Sequence, residues 1–238
     1  MKSVFIFRHE ACEGPGYLAE ILAARGIRLT LVRVDAGETV PTDVSRCLGL
    51  VFMGGPMSVN DPLPWIESEL RLIRAAQACD LPILGHCLGA QLISKALGGQ
   101  VTRNPTQEIG WYEVESVAAG KAGAWLGRLP PRFDVFHWHD ETCTLPAGAL
   151  PLLKSARCRN QGFVLGKTLA LQCHVEMNVK MVHQWLEVYR DTIPREAPGV
   201  QSVAEMARNL PQRVKLMRKV ADQLYAHWIN GLEPSLGG

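Results

Sequence analysis

The stretch Pro82-Ile83-Leu84-Gly85-His86-Cys87-Leu88-Gly89-Ala90-Gln91 carries an apolar run into a cysteine with glycine two residues to either side. This spacing belongs to a strand that turns sharply into a helix and holds a reactive side chain at the apex. Small neighbours at i−2 and i+2 let strand and helix pass each other. The helix predicted from Leu88 to Leu97, closed by Gly98-Gly99, aims its first amides and positive dipole end at the sulfur and favours thiolate. A lone cysteine is more often a small buried hydrophobe. The reading of Cys87 as a nucleophile therefore depends on partners elsewhere in the chain.

The flanking pattern places this turn in a parallel α/β arrangement. Ser3 to Phe7 is a compact apolar run suited to a strand covered on both faces. A helix follows over Gly16 to Arg25, stopped by Gly26, and then a strand over Arg28 to Val34. Leu48 to Met53 reads as a third buried strand running into Gly54-Gly55-Pro56-Met57-Ser58, where two glycines free the backbone to turn amides toward a ligand. Such a loop is also an ordinary turn. Trp65 to Ala78 has helical spacing, with Ile66, Leu70 and Ile73 on one face and Glu67 and Glu69 early.

After Gly99 the pattern changes to strand-like runs at Trp111 to Val117, Phe133 to Trp138, Leu150 to Ala156 and Gly162 to Cys173. This predicts an antiparallel or mixed extension carrying loops over the carboxyl edge of the sheet, where open α/β folds bind ligands. Two packing helices are predicted at Val179 to Arg190 and Gln212 to Trp228, the second with an apolar stripe of Leu216, Val220, Leu224 and Trp228. Arg213, Lys215, Arg218 and Lys219 beside that stripe read as a solvated face.

With 238 residues, 47% of them hydrophobic, one domain over 1–238 is expected, with a core of about residues 1–190 and packing helices at about 200–230. A formal net charge of +2 argues against nucleic acid or a membrane surface as partner. The seven cysteines include no C-x-x-C pair, no export signal leads the chain, and no apolar run reaches membrane-spanning length. The expectation is a reduced cytoplasmic protein without disulfides, structural metal or cofactor.

A cysteine nucleophile needs a base, and the base needs an orienting group. His9, His183 and His227 lie on or beside packing elements. His86 adjoins Cys87, but neighbours in an extended segment point to opposite sides. His137 and His139, followed by Asp140 and Glu141, could suggest metal; without a clear third ligand group, a loop with His139 contacting substrate is the preferred reading. His174 stands where a buried strand from Thr168 to Cys173 ends, with Glu176 two residues on, placed to orient the imidazole.

Gly85-x-Cys87-x-Gly89-x-Gln91 followed far downstream by His174-Val175-Glu176 resembles the class I (triad) glutamine amidotransferases, and stand-alone proteins similar to the glutaminase domain of GMP synthase among them. The resemblance extends to Gly54-Gly55-Pro56-Met57-Ser58 and Gln161-Gly162-Phe163 and covers roughly residues 1–190. It implies a flavodoxin-like three-layer α/β sandwich with a central mostly parallel sheet and a small antiparallel extension. It also implies a Cys87–His174–Glu176 triad, an oxyanion hole from the backbone of Gly55 and Leu88, and Gln91 and the Gly54 loop among the substrate contacts. The family usually reads Gln-Phe-His-Pro-Glu at the histidine. Here Cys173 replaces the aromatic and Val175 the proline, which implies a less rigid turn.

The expected reaction is cysteine-dependent hydrolysis of the glutamine γ-amide. Without a Gly-x-x-x-x-Gly-Lys-Ser/Thr loop, the ammonia acceptor is expected in a separate ATP-dependent synthetase. A γ-glutamyl peptidase uses the same chemistry on a γ-glutamyl small molecule, and a non-catalytic binding protein on this fold is the third alternative.

Overall fold

The computed structural model describes residues 1–194 and 196–232; Arg195 and residues 233–238 of the expected 1–238 domain lie outside the described residues. The chain opens with strand β1 (Ser3–Arg8), helix α1 (Gly16–Ala24) and strand β2 (Leu29–Arg33), followed by β3 (Cys47–Phe52), α2 (Pro64–Ala78), β4 (Ile83–His86) and α3 (Leu88–Ala96). Then come β5 (Val101–Ser116), the short α4 (Gly123–Leu126), β6 (Arg132–Cys143), β7 (Leu150–Ser155), β8 (Gly162–Leu165) and β9 (Thr168–Leu171). Helices α5 (Val179–Val188), α6 (Val203–Ala207) and α7 (Leu210–Asn230) finish the described chain.

The nine strands among the described residues form one sheet in the order β2-β1-β3-β4-β9-β8-β7-β5-β6. The first five in that order pair in parallel, Leu50 opposite Ile83 and Gly85 opposite Ala170. The remaining pairs are antiparallel, so the extension contributes four strands to the same sheet. The expected run from Gly162 to Cys173 is two strands, because Gly166 turns at φ 57° and reverses the chain into a hairpin. The His-x-His pair falls within β6, not in a loop: β5 and β6 pair as far as Val101 opposite Cys143, which keeps residues 137 and 139 extended and on one face.

Period-two alternation divides the sheet between two apolar layers. Val4 and Ile6 of β1 face the layer built from α1, α5 and α7, with Leu18, Leu22, Trp185 and Trp228. Phe7, Leu50 and Phe52 face α2 and α3, packing on Leu70, Ile73, Leu92 and Ile93. Helices on both faces of a mixed sheet make the expected three-layer sandwich. In α7 the buried stripe is Val214, Met217, Val220, Ala221, Leu224 and Trp228, whereas Leu216 is 51% exposed. Met217, three residues before Val220, takes the inward position that Leu216 was expected to hold. Lys215 and Lys219 are exposed, but Arg218 bonds Glu20 and covers the Tyr17 ring. Among the described residues no helix is long and apolar enough to cross a membrane.

Candidate active site

Strand β4 delivers Cys87 to the carboxyl edge of the parallel strands, and the backbone there leaves ordinary geometry. Cys87 adopts φ 50° and ψ −107°, a conformation disfavoured for a residue with a side chain. The Cys87 amide donates to the Leu171 carbonyl of β9 at 2.8 Å, which holds the turn in register. The flanking glycines are required by contact. A methyl group on Gly85 would come within 2.5 Å of the Gly89 carbonyl carbon, and one on Gly89 would overlap the Phe52 carbonyl oxygen. The sulfur is largely buried, 3.6 Å from the Trp138 carbonyl and 3.6 Å from Gln172 Nε2, which donates to it.

His174 and Glu176 leave β9 directly behind the sulfur. The His174 amide donates to the Phe136 carbonyl at 2.8 Å, bridging to β6, and the Glu176 carbonyl accepts from the Tyr17 amide at 2.8 Å. Cys173 and Val175, which replace the usual aromatic and proline, are fully buried. The turn is thus fixed by packing and by bonds to β6 and α1. His174 Nδ1–H donates to Glu176 Oε1 at 2.6 Å, which leaves Nε2 as the outward nitrogen, buried and without a partner among the described residues. Burial opposes charge on His174, but the Glu176 carboxylate and the nearby Cys87 outweigh it and raise its pKa well above the ordinary imidazole value. Burial also opposes charge on Glu176, yet His86 and His174 pull its pKa down to about 2.

The Gly54-Gly55 loop faces this pair across the edge. His9, at the end of β1, is buried and sits with Nδ1 3.1 Å from the Met53 carbonyl and Nε2 3.1 Å from the Glu69 carboxylate. Its ring stacks on Trp65 at 4.9 Å. Glu69, expected early in an amphipathic helix, is fully buried as this partner. Gly55 lies against Leu88: a methyl group on it would reach the Leu88 side chain at 2.9 Å. The Leu88 amide belongs to the first turn of α3, whose amides have no partners within the helix.

A cavity of about 340 Å³ opens beside Cys87. Of the expected site residues, Cys87, Gly55, Gln91 and His139 line it, and Gln91 also donates to Gln172 Oε1 at 3.2 Å. Gly54 lies against Glu13 and the His174 ring, while His174 and Glu176 sit beneath the wall, each 1% exposed. Trp138, Trp185 and Tyr189 form an aromatic side, with Trp185 meeting the His174 ring edge-on at 4.9 Å.

His137 and His139 gain from Glu108 the third ligand group that their sequence spacing lacked: one ligand atom from each of the three lies within 4.8 Å of the others. Hydrogen bonds already occupy two of them. The Gln161 amide nitrogen is 2.6 Å from Glu108 Oε2 and 3.1 Å from His139 Nε2, and Ser155 Oγ–H donates to Glu108 Oε1 at 2.7 Å. His139 Nδ1–H donates to the Glu141 carbonyl at 3.0 Å, so both its nitrogens are engaged within the protein. Burial pushes the pKa of His137 down to about 3, which keeps it neutral. The cluster is best described as a polar buttress under β5 and β6.

The class I glutamine amidotransferase family profile matches residues 16–186. The chain belongs to that family. Over 226 residues it is 31% identical to the glutamine amidotransferase-like protein YfeJ of Salmonella typhimurium, a match covering 91% of this chain and 94% of that one. The glutamine amidotransferase of Methylobacillus flagellatus has the same fold, with a TM-score of 0.94 and 40% identity over 99% of this chain and 97% of the other. The GMP synthase of Aeropyrum pernix is 27% identical over 231 residues, covering 91% of this chain but only 41% of that protein.

In this family member the site also contains residues outside the motif. His86 turns away from the sulfur, as expected, and its Nδ1 lies 3.2 Å from Glu176 Oε2, while its Nε2 meets the Tyr225 hydroxyl at 3.0 Å. Glu13, after β1, lines the cavity and accepts from the Tyr189 hydroxyl at 2.8 Å. No short motif marks either contact, because Tyr225 and Tyr189 come from the far end of the chain.

Proposed function

We propose that the protein hydrolyses the γ-amide of glutamine through a γ-glutamyl thioester on Cys87. The observation that carries this reading is the strained Cys87 turn with the His174–Glu176 pair behind it, His174 Nε2 being without a partner among the described residues. The Cys87 thiolate attacks the γ-carbonyl carbon, forming a C–S bond, and the carbonyl oxygen takes the displaced electron pair. The Gly55 and Leu88 amides receive that oxyanion, at roughly 3 to 4 kcal/mol per donor. His174, favoured as imidazolium by Glu176, gives its proton to the nitrogen as the C–N bond breaks and ammonia leaves. The neutral imidazole then takes a proton from water, whose oxygen attacks the thioester. Glutamate leaves, and glutamine plus water has become glutamate plus ammonia.

Glu176 is never protonated in this cycle; it fixes the ring and stabilises its charge. Gln91 and the wall carrying His139 serve as glutamyl contacts from the cavity side. The ammonia goes to an acceptor activated by a separate ATP-dependent polypeptide. Ammonia release from glutamine, measured with the wild type and Cys87→Ser side by side, tests the reading: release by the wild type alone supports it, and equal release by both removes Cys87 from the reaction.

A further inference from the structure

Glu13 has no part in the triad, yet it stands beside it. Its Oε1 accepts from Tyr189, and no hydrogen bond is made to Oε2 among the described residues. That oxygen and the His174 Cε1 edge flank a single point above Gly54: a methyl group there would overlap Glu13 Oε2 and lie 3.3 Å from His174 Cε1. The loop carrying Glu13 is held rigidly. The Trp185 indole N–H donates to the Cys12 carbonyl at 2.9 Å, and the Glu13 amide donates to the Glu10 carbonyl at 3.0 Å. Burial pushes the Glu13 carboxyl up to about 7, with His174 and the Tyr189 hydroxyl pulling the other way. The group is thus a carboxylate above about pH 7, the range in which its charge acts on a bound group. Asp140 and Glu141 line the same cavity and add to its negative potential.

The nitrogen that leaves the γ-carbonyl has to sit where His174 can protonate it, on the Glu13 side of the sulfur. A leaving amino acid would carry its own carboxylate one carbon removed from that nitrogen. Like charges brought together in a water-poor site strongly disfavour binding. Ammonia, or an amine without a carboxylate, meets no such repulsion, and once it takes a further proton from solvent the resulting cation is drawn to Glu13 and the Trp138, Trp185 and Tyr189 rings. We infer, resting on the hydrolase reading above, that Glu13 selects the leaving group: the site takes γ-glutamyl amides that release ammonia or a neutral or cationic amine and rejects those that release an amino acid.

The test compares kcat/KM for glutamine, γ-glutamyl-L-alanine and γ-glutamyl-L-alaninamide, the last two differing chiefly in the charge of the departing group. The wild type should prefer the alaninamide substrate to the alanine one by tenfold or more, and Glu13→Gln should shrink that ratio at least fivefold whatever its overall rate. Tyr189→Phe, which removes the hydroxyl favouring the carboxylate, should shrink it in the same direction by less, and it serves where Glu13→Gln folds poorly. A ratio unmoved by either variant overturns the inference and leaves the hydrolase reading standing. So does hydrolysis of glutamine alone in every variant, since walls and not charge would then select. Hydrolysis of none of the three by the wild type overturns the hydrolase reading itself and the inference with it.

Discussion

His174 with Glu176 and His9 with Glu69 are two buried histidine–glutamate pairs at the carboxyl edge of the same sheet, and in both the imidazole pKa is raised because the carboxylate outweighs burial. They differ in what remains unbonded. Both His9 nitrogens are engaged, one by the Met53 carbonyl and one by Glu69, and the ring is clamped against Trp65. His174 has one nitrogen engaged and one without a partner, turned to the side where Cys87 stands. The same chemical pair therefore serves two ends. A fully bonded ring fixes the Gly54-Gly55 loop, and a ring with a spare nitrogen can move a proton. A buried histidine beside a carboxylate is not by itself a catalytic signature; what sets His174 apart is a nitrogen without a partner among the described residues, on the side of a cysteine at a strained turn.

The largest expected separation between the two pairs is in turnover. His174→Asn should lower kcat by at least about 1,000-fold, while ammonia release by His9→Asn should fall by roughly tenfold or less. Equal losses would mean that His9 also takes part in chemistry. Next is stability, where the order reverses. His9→Ala leaves Glu69 buried and unpaired, so denaturant unfolding should show a loss of roughly 3 to 5 kcal/mol. Little loss would show that the loop is held by packing alone.

A methyl group on Gly89 tests the strained turn that both pairs serve. Gly89→Ala should cost roughly 1 to 3 kcal/mol of stability through overpacking against Phe52 and lower kcat as well by displacing Cys87. Full activity would show that the close approach is not needed.

The smallest effects are in pH dependence. His9 has a folded pKa above its ordinary 6.5, so its pair contributes fully below about 6.5, and that contribution is lost as pH rises through the raised value. Glu176, at about 2 against an ordinary 4.5, contributes fully above about 5 and loses its contribution as pH falls toward 2. The stability gap between the wild type and Glu176→Gln should therefore close as pH falls toward 2, whereas the gap to His9→Ala should narrow, without closing, as pH rises through the raised His9 value; narrowing of both at the same end would contradict the assignment.

The contrast also marks how far sequence could reach. Cys87, Gly85 and Gly89 are legible because one strand-turn-helix places them, and His174 with Glu176 because two residues past a strand end share a side. The parallel half of the sheet follows from alternating apolar runs. The carboxylate under His9 lies 60 residues away, the tyrosine on His86 139, and the hydroxyl on Glu13 176. Each of those contacts depends on how helices pack across the sheet, which local pattern does not encode. Glu108 lies 31 residues upstream of His139 but opposite it in the β5–β6 ladder, so the buttress appears only once strand register is known. The length of the antiparallel part was hidden for the same reason, since Gly162 to Cys173 reads as one run until the turn at Gly166 folds it back.

The central claim is that Cys87 is the nucleophile, and covalent labelling tests it most directly. A chloroketone analogue of glutamine, which replaces the γ-amide with an electrophilic carbon, should alkylate Cys87 alone among the seven cysteines, with glutamine protecting it and activity lost in step. Peptide mapping by mass spectrometry reads the position. Modification confined to the exposed Cys79, or loss of activity while Cys87 stays unmodified, would contradict the account.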